Sequence, residues 1–191
     1  QAAPGTIPAA ASGAGSIHHL NLLALQNGAD AEFLFVPYGG SAPGQEAAIA
    51  GEVALVVTSL AEQAPLIEGG QLRPLAMLTP DSADIAGMTV PSAFDKNAGL
   101  DQYLPLMQAI GFAVHSSAPS EVHDALGAAF EAAIASDVVA DWAAANNYTV
   151  SGAYGAEAQA IFATLEANFA YTLQELGATT VDPASLGIER P

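Results

Sequence analysis

Ser12-Gly13-Ala14-Gly15-Ser16 leads straight into a helical pattern, and its residue types point most directly to chemistry. Small side chains let a ligand approach the backbone, and a helix start offers unpaired N–H groups with partial positive charge. With hydroxyls on Ser12 and Ser16, the segment reads as a carboxylate or phosphate cradle that needs no Lys or Arg. The same residues also make an ordinary glycine-rich turn closed by a serine cap, so local spacing leaves both readings open. A second opening follows in Val36-Pro37-Tyr38-Gly39-Gly40-Ser41-Ala42-Pro43, and a third at Thr58-Ser59. Each comes directly after a strand candidate, and in parallel α/β sheets ligands collect at the carboxyl ends of strands. Tyr38 taken alone reads equally well as a half-buried packing aromatic. Ser12, Gly13, Ala14, Gly15, Ser16, Tyr38, Gly39, Thr58 and Ser59 are therefore the candidate ligand-binding residues.

Other chemistries find little support. A phosphate loop of the Walker kind needs Gly-Lys-Ser or Gly-Lys-Thr, which is absent, and His18 stands where a dinucleotide fingerprint needs its third glycine. His18 and His19 project about 100° apart on a helix and do not readily share one metal ion. His115 and His123 lie far along the chain without a carboxylate at ligand spacing. No metal or cofactor is expected. The nucleophile motif Gly-x-Ser-x-Gly is also missing, and no carboxylate pair stands out as an acid/base couple. A small-molecule hydrolase would have to pair Ser12, Ser16 or Ser59 with a base, for which His18 and His19 are the candidates. No catalytic residue is assigned, and the chain is not expected to be an enzyme.

The elements around these segments alternate. Strands are expected at Thr6 to Ala11, Glu32 to Tyr38, Val53 to Val57 and Leu72 to Leu78. Helical patterns lie between them: a stretch with Ile17, Leu20, Leu23 and Ala24 on one face, then Pro43 to Ala50 and Leu60 to Ile67. That order predicts an α/β fold, a parallel-type sheet with helices on both faces. Thr79 to Pro105 reads as an irregular connection between lobes, followed by a short strand from Ile110 to His115. Ser120 is a candidate N-cap for a helix through Ala135. Asp137 to Asn146 forms another helix, Tyr148 to Val150 a short extended piece, and about Ala156 to Leu176 the last helix. Ile161, Phe162, Leu165, Phe169, Leu173 and Leu176 make one apolar stripe on that last helix.

Composition sets outer limits. The chain is 51% hydrophobic and 12% charged, enough to build a core. Three basic residues against 20 acidic ones give a formal net charge of −17. That balance argues against nucleic acid and against an anionic membrane surface, since both demand clustered Lys and Arg. Without Cys there is no disulfide, thiolate metal site or Cys nucleophile. No apolar run of about 18 residues is present, so stable membrane insertion is not expected. The start, Gln1-Ala2-Ala3-Pro4, is not an intact signal peptide.

Val36 to Ala76, VPYGGSAPGQEAAIAGEVALVVTSLAEQAPLIEGGQLRPLA, resembles the periplasmic receptors of tripartite tricarboxylate transporters, the Bug family. Those receptors carry a VPYKGG-A-P segment, a G-x-V-D-L strand and a G-x-L-R-x-L-A strand. SGAGSIHHL (12–20) resembles their SGxGSxxHL turn, and Val90-Pro91-Ser92 their V-P-T loop. Gly39 stands where the family usually has Lys, and Ala54 and Thr58 where it has an Asp pair. The resemblance implies a type II, Venus-flytrap periplasmic-binding-protein fold, with one complete lobe and part of the second. It divides the chain into 6–105, a ligand-binding lobe and the family's second, 106–180, the C-terminal part of the family's first lobe, and 181–191, a tail. It also implies that the family's long N-terminal portion is not in this chain, which then reads as truncated, cleaved or completed by a partner chain. The implied function is capture of a small organic carboxylate, a di- or tricarboxylate or related acid, and its delivery to the transporter's membrane permease. Backbone N–H groups with Ser12, Ser16, Tyr38 and Thr58 would hold the acid. Two other readings stand beside it: the hydrolase above, and a non-binding lobe that pairs with another chain.

Overall fold

The computed structural model describes residues 4–190. The chain divides into two compact units, one reaching Met107 and resuming at Ala167, the other spanning Gln108–Glu166.

The first unit is built on three parallel strands: β1 (Pro8–Ala11), β2 (Leu34–Pro37) and β3 (Leu55–Val56), in the order β2-β1-β3. Helices α1 (Ile17–Gly28), α2 (Ser41–Ala50) and α3 (Leu60–Glu68) follow these strands in turn. Successive residues of a strand face opposite sides, and β1 shows what this does. Ala9 packs with Leu22 of α1 and with Val57, whereas Ala10 packs with Ala47 of α2 and with Val53. Ala9, Ala10 and Ala11 have 0% exposure, so the central strand carries only methyl groups between its two helix layers.

Local signals account for the helix ends. Ser16 caps α1, its hydroxyl oxygen accepting from the His19 N–H, and Gly51 ends α2 in the left-handed region. At the far end of α1, Gly28 lies against the turn Ala98–Gln102. A Cβ on Gly28 would sit 2.7 Å from Leu100 Cδ2, and one on Gly99 would sit 2.8 Å from the Gly28 carbonyl oxygen. Both glycines are needed for this close approach, and Leu100 is completely buried with Ala24 and Leu104.

Several expectations need correction. Leu72 to Leu78 does not form a strand. Pro74 has no N–H to pair, and the segment makes only an isolated parallel bridge, Met77 to Ser92. The stretch expected to be irregular holds an antiparallel hairpin, β4 (Ala83–Ile85) and β5 (Met88–Val90). Its turn residues Ala86 and Gly87 both have positive φ, as a tight two-residue hairpin turn requires.

The second unit carries α4 (Ser120–Ile134), α5 (Asp137–Ala145) and most of α6 (Gly155–Glu175). Pro119, not Ser120, occupies the cap position of α4. Neither Ile110 to His115 nor Tyr148 to Val150 is a strand, and among the described residues no strand pairs with either. Phe112 is accordingly 95% exposed. The stripe on α6 is only partly covered: Leu176, just past its end, packs on the Leu100 cluster, while Phe162 stays exposed. Among the described residues, no helix is long and apolar enough to cross a membrane.

Candidate functional site at the carboxyl edge of the sheet

Ala11 pairs with Pro37, and Ala10 with Val56. Carrying that register past the last rungs sets Tyr38, Ser12 and Thr58 abreast, on neighbouring strands about 4.8 Å apart. Three sequence candidates therefore stand in one row, and each leads into the start of a helix. The first N–H groups of α1, α2 and α3 have no acceptor within their own helices, so this edge concentrates positive dipole ends.

The loop before α1 is held from inside. Gly13 has φ 114°, and a Cβ there would come within 3.2 Å of the Tyr38 carbonyl oxygen, so the position requires glycine. Ser16 Oγ donates to the Gly13 carbonyl at 2.8 Å and accepts from the His19 N–H at 3.2 Å. Ser12 Oγ donates to Ser16 Oγ at 3.1 Å and lies 2.7 Å from His18 Nδ1. Both serine protons are thus engaged within the loop, and Ser16 is the structural cap of α1. Ala14 and Gly15 form the exposed tip, where the Gly15 N–H donates to His19 Nδ1 at 3.1 Å. His19 in turn stacks on Phe35 with ring centroids 4.0 Å apart.

On the other side of the His18 ring, Glu62 Oε2 lies 4.0 Å from Nε2. Serine, imidazole and carboxylate thus come in the order of a hydrolytic triad. The Ser12 hydroxyl, however, has a second acceptor in Ser16 Oγ at 3.1 Å, and which of the two takes its proton depends on the imidazole tautomer. Burial lowers the pKa of His18 below 6.5, and Glu62 only partly offsets it. Burial alone would raise the Glu62 pKa, but hydrogen bonds from Ser59 and Ser41, with His18 nearby, hold it below the ordinary value. Ser59 donates to Glu62 through its hydroxyl at 2.6 Å and its N–H at 3.2 Å, tying the start of α3 together.

Thr58 is bracketed by two glutamines. Its Oγ1 accepts from Gln45 Nε2 at 2.9 Å and from Gln63 Nε2 at 3.0 Å, and Gln63 also donates to the Thr58 carbonyl at 3.1 Å. Gly39 is exposed with open space around it, and Gly40 caps α2. All nine candidates thus lie at one edge of the first unit. Glu62, Gln45 and Gln63 were not among them. Ser59-x-x-Glu62 has the spacing of a capping box and was findable, whereas the two glutamines leave no sequence signal.

Cations contribute little. Arg190 pairs with Glu175 and lies over the Tyr171 ring, and Arg73 and Lys96 fall outside these loops. Among the described residues, no group of three or more His, Asp or Glu is placed to hold a metal. The edge suits a small anion held by N–H dipoles and hydroxyls.

Solved structures share this architecture. One titled as a periplasmic transporter aligns with TM-score 0.71 at 19% identity, over 94% of this chain and 57% of its own. An R. palustris protein solved with adipate aligns at 0.66 and 24% identity, over 91% and 57%. A TctC solute-binding protein from Polaromonas, solved with no ligand, aligns at 0.57 and 22%, over 92% and 58%. None of the curated proteins matches. The fold is therefore α/β of the periplasmic-binding-protein kind, and this chain spans less than two thirds of those structures' length. Residues 1–166 match the tripartite tricarboxylate transporter family receptor, and the chain belongs to that family, whose members bind substrates for transport and are not enzymes.

Proposed function

We propose that this chain is an extracytoplasmic, periplasmic receptor that holds a small organic carboxylate at the carboxyl edge of β1, β2 and β3 and presents it to the transporter's membrane permease. The observation that carries this reading is the row of Tyr38, Ser12 and Thr58 in front of three helix starts, with no Lys or Arg in the loops. N–H groups at helix starts bind carboxylate oxygens without bringing in a positive side chain. Oriented dipoles act at contact distance, so they outweigh a net charge of −17 spread over the surface and screened by salt.

A thermal-shift screen against mono-, di- and tricarboxylates tests the reading, with adipate included because a solved relative carries it. An acid at about 100 times its dissociation constant stabilises the folded state by about 2.7 kcal/mol. A clear rise in melting midpoint with one acid class is the expected result. No rise with any acid over that range would remove carboxylate binding from this chain.

A further inference from the structure

We propose that Gln45 and Gln63 fix the polarity of the Thr58 hydroxyl, making it a donor-only subsite that favours an ionised acid oxygen and offers no acceptor to a ligand N–H. The proposal rests on the reading of this edge as the carboxylate cradle. A threonine hydroxyl has one proton and two lone pairs. Gln63 Nε2 lies 3.1 Å from the Thr58 carbonyl, which can only accept, so the amide nitrogen of Gln63 must be the end facing Thr58. The same nitrogen is 3.0 Å from Thr58 Oγ1, and Gln45 Nε2 is 2.9 Å from it.

Two amide donors from two different helices thus fill both lone pairs of one hydroxyl. No group among the described residues accepts the remaining proton, which is left for an acceptor from outside the chain. Gln45 is 5% exposed, and its amide nitrogen is the end that faces Thr58. Ser12, one strand away, is wired in the opposite sense: its proton is engaged within the loop, by Ser16 Oγ or by His18 Nδ1. The row therefore carries a hydroxyl that must donate next to one whose proton is engaged, which gives the site a chemical direction.

Calorimetric titration compares adipate with adipamide, and succinate with succinamide, on the wild type, Thr58→Val, Gln45→Met and Gln63→Met. Thr58→Val is expected to weaken acid binding about tenfold, the worth of one hydrogen bond to a charged group. Each Gln→Met change frees a lone pair that can accept an amide N–H, so the acid-over-amide affinity ratio falls about threefold or more. In the Thr58→Val background, the same Gln45→Met change leaves that ratio unmoved. A purely structural role for the glutamines would instead weaken acid and amide alike, in both backgrounds. Melting midpoints confirm that each variant folds. Should the buried Gln45→Met fail to fold, the half-buried Gln63→Met carries the test. Unchanged ratios in folded Gln variants, with acid still bound by the wild type, overturn this proposal alone. Failure of the wild type to bind either acid overturns the carboxylate reading and this proposal with it.

Discussion

Ser12 and Thr58 have the same functional group, yet their neighbours give them opposite tasks, and His18 shows a comparable effect of surroundings. His18 is buried beneath the loop and His19 is stacked on Phe35, and burial lowers both pKa values below 6.5. Unfolded chains take up protons at these positions at about pH 6.5, before the folded state does. The unfolded state then binds more protons, so stability must fall as pH drops below that value. Glu62, whose pKa is lowered, adds stability that persists through this window and is lost only further into acid. Urea melts between pH 7 and 5.5 should show a decreasing free energy of unfolding, and a His18→Gln, His19→Gln double variant should show a flatter profile. A flat wild-type profile would contradict the assignment. Much at this scale was readable: Ser12, Tyr38 and Thr58 each followed an apolar run, the sign of a strand end. The glutamines were not: the Gln45 bond, between residues 13 apart, depends on how α2 docks, and the Gln63 bonds, between residues five apart, match no capping pattern.

At the scale of elements, α1 carries the loop at one end and is fixed at the other by Gly28 against Gly99. Placing alanine at Gly28 forces its Cβ into Leu100 and the Gly99 carbonyl, where backbone cannot easily retreat. Overpacking of this kind costs about 1–3 kcal/mol. Gly28→Ala should lower the urea midpoint by a corresponding amount, and an unchanged midpoint would show that the turn at 98–102 shifts freely. The six elements from β1 to α3 were legible because apolar spacing, serine caps and glycine stops all agreed. Leu72 to Leu78 and Ile110 to His115 have strand-like composition, but a strand exists only where a partner lies alongside, and composition is silent on partners. The β4–β5 hairpin was hidden for the opposite reason: its strands are three residues each, too short for alternation to show.

For the molecule as a whole, a charge of −17 meets an acid of like sign. Repulsion between them acts over the Debye length, about 30 Å at 0.01 M salt and about 10 Å at 0.1 M. Acid association should therefore quicken as salt rises from 0.01 to 0.1 M, the reverse of what a basic site gives, and stopped-flow binding measures it. Slowing with salt would point to a cationic contact at the site. The family could be read from VPYGGSAP and its neighbours, because several short motifs recur there in one ungapped stretch. The division into units was harder to read, since 167–190 rejoins the first unit only after an intervening stretch of the chain.

That return has a consequence for biosynthesis. Leu176 packs against the cluster of Ala24, Leu100 and Leu104, and the Tyr171 hydroxyl donates to the Ile188 carbonyl at 3.0 Å. A ribosome therefore makes the sheet, α1 and the turn at 98–102, then all of Gln108–Glu166, before it makes Leu176, one of the side chains packed on that cluster. At about 5–20 residues per second, the intervening stretch of roughly 60 residues delays that contact by about 3–12 s. The patch that Leu176 covers faces the medium for that interval, which makes it a natural landing point for a chaperone until residues 167–190 reach it.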